Sequence, residues 1–275
     1  MLRFISRGIS VILLAITAGL LWLAYVFFTT PNVADINSCF VTEMHQVHLC
    51  PKGNQYVPLS AVSRHLKNAV IISEDAGFYG HSGFDIDEIK NSFDKNLKVG
   101  EFARGGSTIS QQLAKNTFLS GEKTIARKLR EAIVTIQIED KLSKNQILEK
   151  YLNVVEFGPN IYGVKAAAKH YFSKMPADLT PLEAAFLAML LPNPKKYSIS
   201  FTKKKLTSFA RKGVLRTLAK LHSVHRISGS EYAWSRANID LFPWNGLVYV
   251  ETPFEETPVE DTAVPQASES AEEEI

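Results

Sequence analysis

The sequence predicts a mostly α-helical domain carried behind a single membrane-spanning helix. Three observations predict it. Gly8 to Phe28 holds no charged residue. Between Leu59 and about His222 apolar residues recur at helical spacing, most plainly at Ile125, Leu129, Ile133, Ile136, Ile138, Leu142 and Leu148. Strand-like alternation is confined to the short stretch Cys39 to Cys50. A composition of 45% hydrophobic and 21% charged residues excludes a chain disordered throughout.

The uncharged run is 21 residues long. As a helix it spans about 31 Å, the thickness of a bilayer core. Arg3 and Arg7 precede it, and no Lys or Arg follows until Lys52. That asymmetry places residues 1–7 in the cytoplasm and the rest outside. Trp22, Tyr25, Phe27 and Phe28 crowd the outer end like an interfacial belt. A cleaved signal peptide has a shorter apolar core, of about 7–15 residues, and a small-x-small site that this chain lacks, so 8–28 reads as an uncleaved anchor.

Residues 29–58 read as a linker with room for a β-hairpin. The only two cysteines, Cys39 and Cys50, lie there with His45 and His48. The pattern leaves three states open: a disulfide, a zinc site, or free thiols. An extracytoplasmic compartment and a hairpin favour the disulfide. From 59 to 245 the chain reads as one helical domain. The helical pattern of 122–152 breaks near Ser143. Thr180-Pro-Leu-Glu183 is a capping-box start with Pro at the first helical position, and that helix stops at Pro192-Asn-Pro194. Phe209 to Leu221 is a further amphipathic helix. Residues 246–275 form an acidic tail with the composition of a disordered segment. Nine of the 28 acidic residues fall in 251–275, where no Lys or Arg stands. The first 250 residues therefore set 31 basic against 19 acidic residues, a net +12 that suits an anionic partner.

Four constellations stand out, three of them suited to chemistry. Glu74-Asp75 follows the apolar run Ala69 to Ser73, with Phe78, His81 and Gly83 beyond it. A carboxylate at the edge of a buried element is suited to acid–base work, though such pairs more often serve structure. Gly105-Gly106-Ser107-Thr108 opens a helix and exposes backbone N–H groups, an anion cradle, with Gln111, Gln112, Lys115 and Asn116 within two turns. Lys123, Arg127 and Glu131 are spaced to share a helix face, beside Lys128. Lys144 to Asn153 and Tyr162 to Ala168 read as packing.

In this order and spacing the segments resemble the peptidoglycan glycosyltransferases of family 51. EDAGFYGHSGFD (74–85), GGSTISQQLAKN (105–116), RKLRE (127–131), KNQILEKYLN (144–153) and YGVKAAAKHYF (162–172) resemble its five motifs. The resemblance covers about 59–200, and the single anchor and short length resemble the monofunctional members. Ser110 stands where many members have Thr.

The resemblance implies a lysozyme-like helical fold with a small second lobe. It implies Glu74 as catalytic base and Glu131 as a second essential carboxylate. It places Asp75, Ser107, Gln111, Lys115, Asn116, Lys123, Arg127 and Lys128 around the substrate, and a mobile flap near 94–104. It implies polymerisation of lipid II into β-1,4-linked strands with inversion at the cell inner membrane. No cofactor is required by it, a divalent cation (Mg or Mn) being left open. The implied partners are lipid II, the growing glycan strand, the membrane and other cell-wall synthesis or division proteins, with no nucleic acid. A lytic peptidoglycan-cleaving enzyme and a non-catalytic scaffold of the same fold are the alternatives. The cationic cluster at 105–131 speaks against the first, and the paired glutamates against the second.

Overall fold

The computed structural model describes residues 2–99 and 106–250, with side chains from 8 to 92 and from 106 to 250. The acidic tail from residue 251 on and residues 100–104 of the expected flap lie outside them.

The first helix, α1 (Leu2–Phe28), is the one described helix long and apolar enough to cross a membrane, and its most apolar stretch is only 6% buried. A hairpin follows, β1 (Phe40–Val41) against β2 (His48–Leu49), with Phe40 opposite Leu49. Cys39 and Cys50 are joined by a disulfide at its open end. Then come α2 (Arg64–Glu74), α3 (Ile86–Val99), α4 (Ile109–Phe118), α5 (Ile125–Lys141) and α6 (Lys144–Val154). A second short antiparallel pair, β3 (Glu156–Gly158) and β4 (Ile161–Tyr162), leads to α7 (Val164–Phe172) and α8 (Pro181–Leu190). The chain ends with α9 (Pro194–Tyr197), α10 (Ile199–Thr202), α11 (Ser208–Ser223) and α12 (Gly229–Asn238).

Local chemistry explains the boundaries. Ser143 starts α6 through a capping box with Gln146, so the expected break in 122–152 is real. Thr180 and Glu183 form the capping box of α8, with Pro181 at its first turn. Every residue of α8 is buried. It is therefore apolar all round rather than amphipathic, and α2 and α11 pack against it. A second group packs α4 onto α5 and α6. The molecule is thus helical in the lysozyme-like manner, with the end of α2 meeting the start of α4 between the two groups.

Two expected boundaries move. The segment 29–58 is no free linker, because Val33, Ile36, Leu49 and Val57 are buried in the common core. Glu43 N–H also donates to Thr117 C=O at 2.9 Å, tying the hairpin to the end of α4. The chain also stays docked past the expected boundary at 245: Leu247 packs against the core, its C=O accepts from Lys174 Nζ at 3.0 Å, and the hydroxyls of Ser230 and Tyr249 lie 3.1 Å apart. The exit of α1 is pinned to α5. Arg130 Nη2 donates to Thr29 Oγ1 at 2.9 Å, and its guanidinium lies 6.0 Å from the centre of the Tyr25 ring.

Candidate active site

Glu74 is the last residue of α2 and is half-buried at the mouth of the gap between the helix groups. Its Oε2 accepts from Gln112 Nε2 at 2.9 Å. Gln112 Oε1 in turn accepts from the hydroxyl of Tyr151 at 3.0 Å. Tyr151 is fully buried, and burial first, then the charges of Glu74 and Asp75, push its phenol well above the usual range. It therefore stays a proton donor, which fixes the amide orientation of Gln112 with its N–H toward Glu74. This chain of bonds aims one carboxylate into the cleft.

Asp75 points the other way. It is buried, with Oδ2 accepting from Ile109 N–H at 2.9 Å and Oδ1 2.9 Å from His81 Nε2. Ile109 is the first residue of α4, so Asp75 joins the end of one helix to the positive start of the next. Thr108, the N-cap of α4, donates its hydroxyl to Gly83 C=O at 2.7 Å. Gly83 sits at φ +91, and a Cβ there would meet Thr135 Cγ2 at 2.9 Å, so glycine is required by backbone and space together.

The start of α4 divides the expected ligands. Gln111 is 5% exposed and its Oε1 accepts from Thr108 N–H at 3.1 Å, closing a capping box. Gln112, rather than Gln111, lines the cavity that holds Glu74. Thr108-x-x-Gln111 carries the capping-box signature and was the available signal. Ser107 is exposed on the cleft. Asn116 is buried in the helix body.

Lys115 and Glu74 line one cavity of about 430 Å³, together with Ser107, Gln112 and Leu191. A second cavity of about 290 Å³ continues past Glu74 and Asp75 toward Lys220. Burial lowers the Lys115 ammonium below the usual lysine range; Glu131 opposes this, while Arg127 and Lys128 add to it. The four groups therefore share one electrostatic site. Glu131, 2% exposed, is 2.6 Å from Arg127 Nη1 and is also bonded by Lys128 Nζ. Its carboxylate is fully engaged in gathering cations.

Lys123 departs from expectation. Thr124 caps α5, its hydroxyl accepting from Arg127 N–H at 3.1 Å, so the helix begins after Lys123. The shared helix face holds for Arg127 and Glu131 only, and Lys123 is an exposed residue of the preceding loop. Of the ten expected site residues, the structure gathers Glu74, Ser107, Lys115, Arg127, Lys128 and Glu131. It gives Asp75 and Gln111 to helix starts, buries Asn116 and leaves Lys123 exposed in the loop before α5.

Asp75, His81 and Asp85 are the one described set of side chains close enough to share a cation, their ligand atoms lying within 4.8 Å of one another. All three are already engaged. Asp75 has the two partners above, one of them His81, and Asp85 Oδ1 accepts from Glu88 N–H at 2.8 Å. These acceptors serve helix starts, a poor fit to a resident cation. The two cysteines, joined to each other, hold no metal with His45 and His48.

Comparison with known proteins follows the same lines. The family model described as Transglycosylase matches residues 42–219. A biosynthetic peptidoglycan transglycosylase of Azoarcus sp. (strain BH72) is 52% identical over 146 residues, 53% of this chain and 63% of that protein. Proteins of the same name from Nitrosomonas eutropha and Nitrosomonas europaea are 47% identical over 169 residues and 49% over 158. These alignments cover 61% and 58% of this chain, and 69% and 65% of the relatives' lengths. The match starts at residue 42, inside the segment that the sequence reading set aside as linker.

Proposed function

The chain belongs to the transglycosylase family, and from that premise we propose that it polymerises lipid II, a disaccharide-pentapeptide on undecaprenyl diphosphate, into β-1,4-linked glycan. The single observation that carries the reading is that Glu74 and Lys115 line one cavity, with Arg127, Lys128 and Glu131 beside Lys115. A base and a cationic cluster set across one cleft suit a reaction that removes a proton at one end and develops negative charge at the other.

In this mechanism Glu74 takes the proton from the 4-hydroxyl of the acceptor sugar. That oxygen forms a bond to the anomeric carbon of the growing chain while the bond from that carbon to the diphosphate breaks. One displacement turns an α-linked donor into a β link, so the reaction inverts. The departing undecaprenyl diphosphate carries the charge, which Lys115, Arg127 and Lys128 offset. Glu131 holds the last two in place. Gln112 keeps the Glu74 carboxylate oriented.

The apolar α1 anchors the domain at the outer face of the inner membrane, where both lipid-linked sugars lie. The test is Glu74→Gln in the full chain with lipid II. A loss of about 10²–10⁴-fold with the melting temperature held is expected. Near-wild-type chain formation rejects the base. Finished sacculi as substrate serve as the control for a lytic activity, and moenomycin, a phosphoglycolipid, is expected to inhibit.

A further inference from the structure

A groove of about 600 Å³ lies behind the Glu74 cleft, walled by α2, the loop after it, the start of α6 and the segment after α11. Its polar wall is made by Lys67, Asn68, Tyr79, Asn145 and Arg226. No residue that lines it is acidic. Among the described residues neither Lys67 nor Arg226 has a carboxylate partner. Lys67 Nζ reaches only Leu59 C=O, at 3.4 Å, and no side-chain bond engages the Arg226 guanidinium. Tyr79 donates its hydroxyl to Asn145 Oδ1 at 3.0 Å, which leaves the Asn145 amide N–H groups free to donate into the groove.

The groove is continuous with the catalytic cleft. Ile72, Ala76 and Gly77 line both this groove and the 290 Å³ cavity that holds Glu74. Gly77 is three residues beyond Glu74, no more than about 11 Å of extended chain. The floor of Ile71, Ile72 and Leu59 is apolar. An extended ligand that enters the cleft thus has one exit with an apolar base, amide donors and two unpaired cations.

We propose that this groove holds the peptide that branches from the substrate sugar, with Lys67 and Arg226 binding its carboxylates. The proposal rests on the transferase reading above and adds to it a substrate feature outside the sugar–diphosphate axis. The peptide leaves the sugar ring itself, so it must pass close to the reacting centre. A groove opening beside Glu74 meets that requirement, and one opening at the anchor would not. Amide donors suit a peptide backbone, and the aliphatic floor suits apolar side chains along it. Guanidinium and ammonium groups suit its free carboxylates.

The experiment compares two lipid-linked substrates in the full chain, one with free peptide carboxylates and one with them amidated. The wild type is expected to favour the free form in kcat/KM by about tenfold, and the Lys67→Ala/Arg226→Ala double variant to lose that preference. Arg226→Lys is expected to restore part of it relative to Arg226→Ala. Equal use of both substrates by the wild type, or an unchanged preference in the double variant, overturns the proposal. A second readout needs no turnover. The soluble pentapeptide with free carboxylates is titrated into the wild type and the double variant, with the amidated peptide as control. Binding lost in the variant supports the groove. Binding without polymerisation of either lipid-linked substrate faults the transferase reading, and polymerisation without peptide binding or preference faults the groove.

Discussion

The cleft works through a few side chains whose neighbours decide their state. Lys115 is the clearest case. Its depressed pKa means that the cleft loses positive charge, as pH rises, before ordinary lysines do. The alkaline limb of a polymerisation profile is expected to follow it, and Lys115→Arg to move that limb to higher pH while lowering the rate at neutral pH. The sign for stability is opposite. The folded state binds fewer protons at Lys115 than the unfolded chain does, so stability at this group rises as pH climbs through the lowered value. Gln112 gives a second test. Gln112→Ala removes the 2.9 Å bond to Glu74 and leaves the Tyr151 hydroxyl without its acceptor. A fall in kcat of about tenfold with a small change in KM is expected, read from steady-state kinetics. Tyr151→Phe leaves the Glu74 bond in place and is expected to cost less. The place of Glu74 in the cleft was legible in the sequence through its motif. That of Gln112 was obscured by an adjacent identical residue, and only the cap at Thr108 tells the two apart.

At the scale of elements, helix starts do double duty. The first turn of α4 is held by Thr108, Gln111 and Asp75, which belong to two separate motifs. Thr108→Ala removes a capping hydroxyl and the bond to Gly83 C=O, and a loss of about 1–2 kcal/mol is expected in denaturant unfolding. Because Gln112 and Lys115 ride on the same helix, activity is expected to fall further than stability alone accounts for. Helix α3 offers a second test. Ile86 and Ile89 are exposed on it, 56% and 40%, beside the exposed Lys90, and the sequence places Lys95 and Lys98 farther along the same helix. Phe93, Lys95 and Lys98 have side chains outside the described residues. An exposed apolar pair beside cations suits a headgroup surface. A chain lacking residues 1–28 is expected to retain weak binding to anionic vesicles, and Ile86→Ser/Ile89→Ser to reduce it in a flotation assay. Binding unchanged by both substitutions removes α3 from the membrane surface. Helix α8 was legible from its capping box and Pro, but not its place. A run apolar on every side specifies burial without saying which helices bury it.

At the scale of the whole molecule, the anchor and the cationic half of the cleft form one mechanical unit. Arg130 on α5 holds the exit of α1, and the same helix carries Arg127, Lys128 and Glu131. Helix packing thus sets the cleft at a fixed distance from the apolar helix α1, which on the proposed reading suits a substrate whose diphosphate is tethered to lipid. The positive charge of the first 250 residues adds attraction to an anionic leaflet. The docked segment 29–58 completes this unit. Its hairpin, closed by the disulfide Cys39–Cys50, is bonded to the end of α4 and packed by Val33, Ile36 and Leu49.

The sequence by itself determined the class, the apolar first helix, the main helix limits and the residues from which a candidate site is built. These follow from local patterns: an uncharged run of bilayer length, apolar period, capping residues, and motifs in fixed order. Only the tertiary structure decided how those residues divide their work. It turned Asp75 and Gln111 inward to helix starts, left Lys123 ahead of its helix, gave Gln112 to Glu74 and gathered Lys115 with Glu131. It also opened a groove between α2 and residues 145 and 226. A side chain's partner across a cleft depends on helix rotation and on which backbone groups need a donor or acceptor. Those are settled by packing over distances that no local pattern spans.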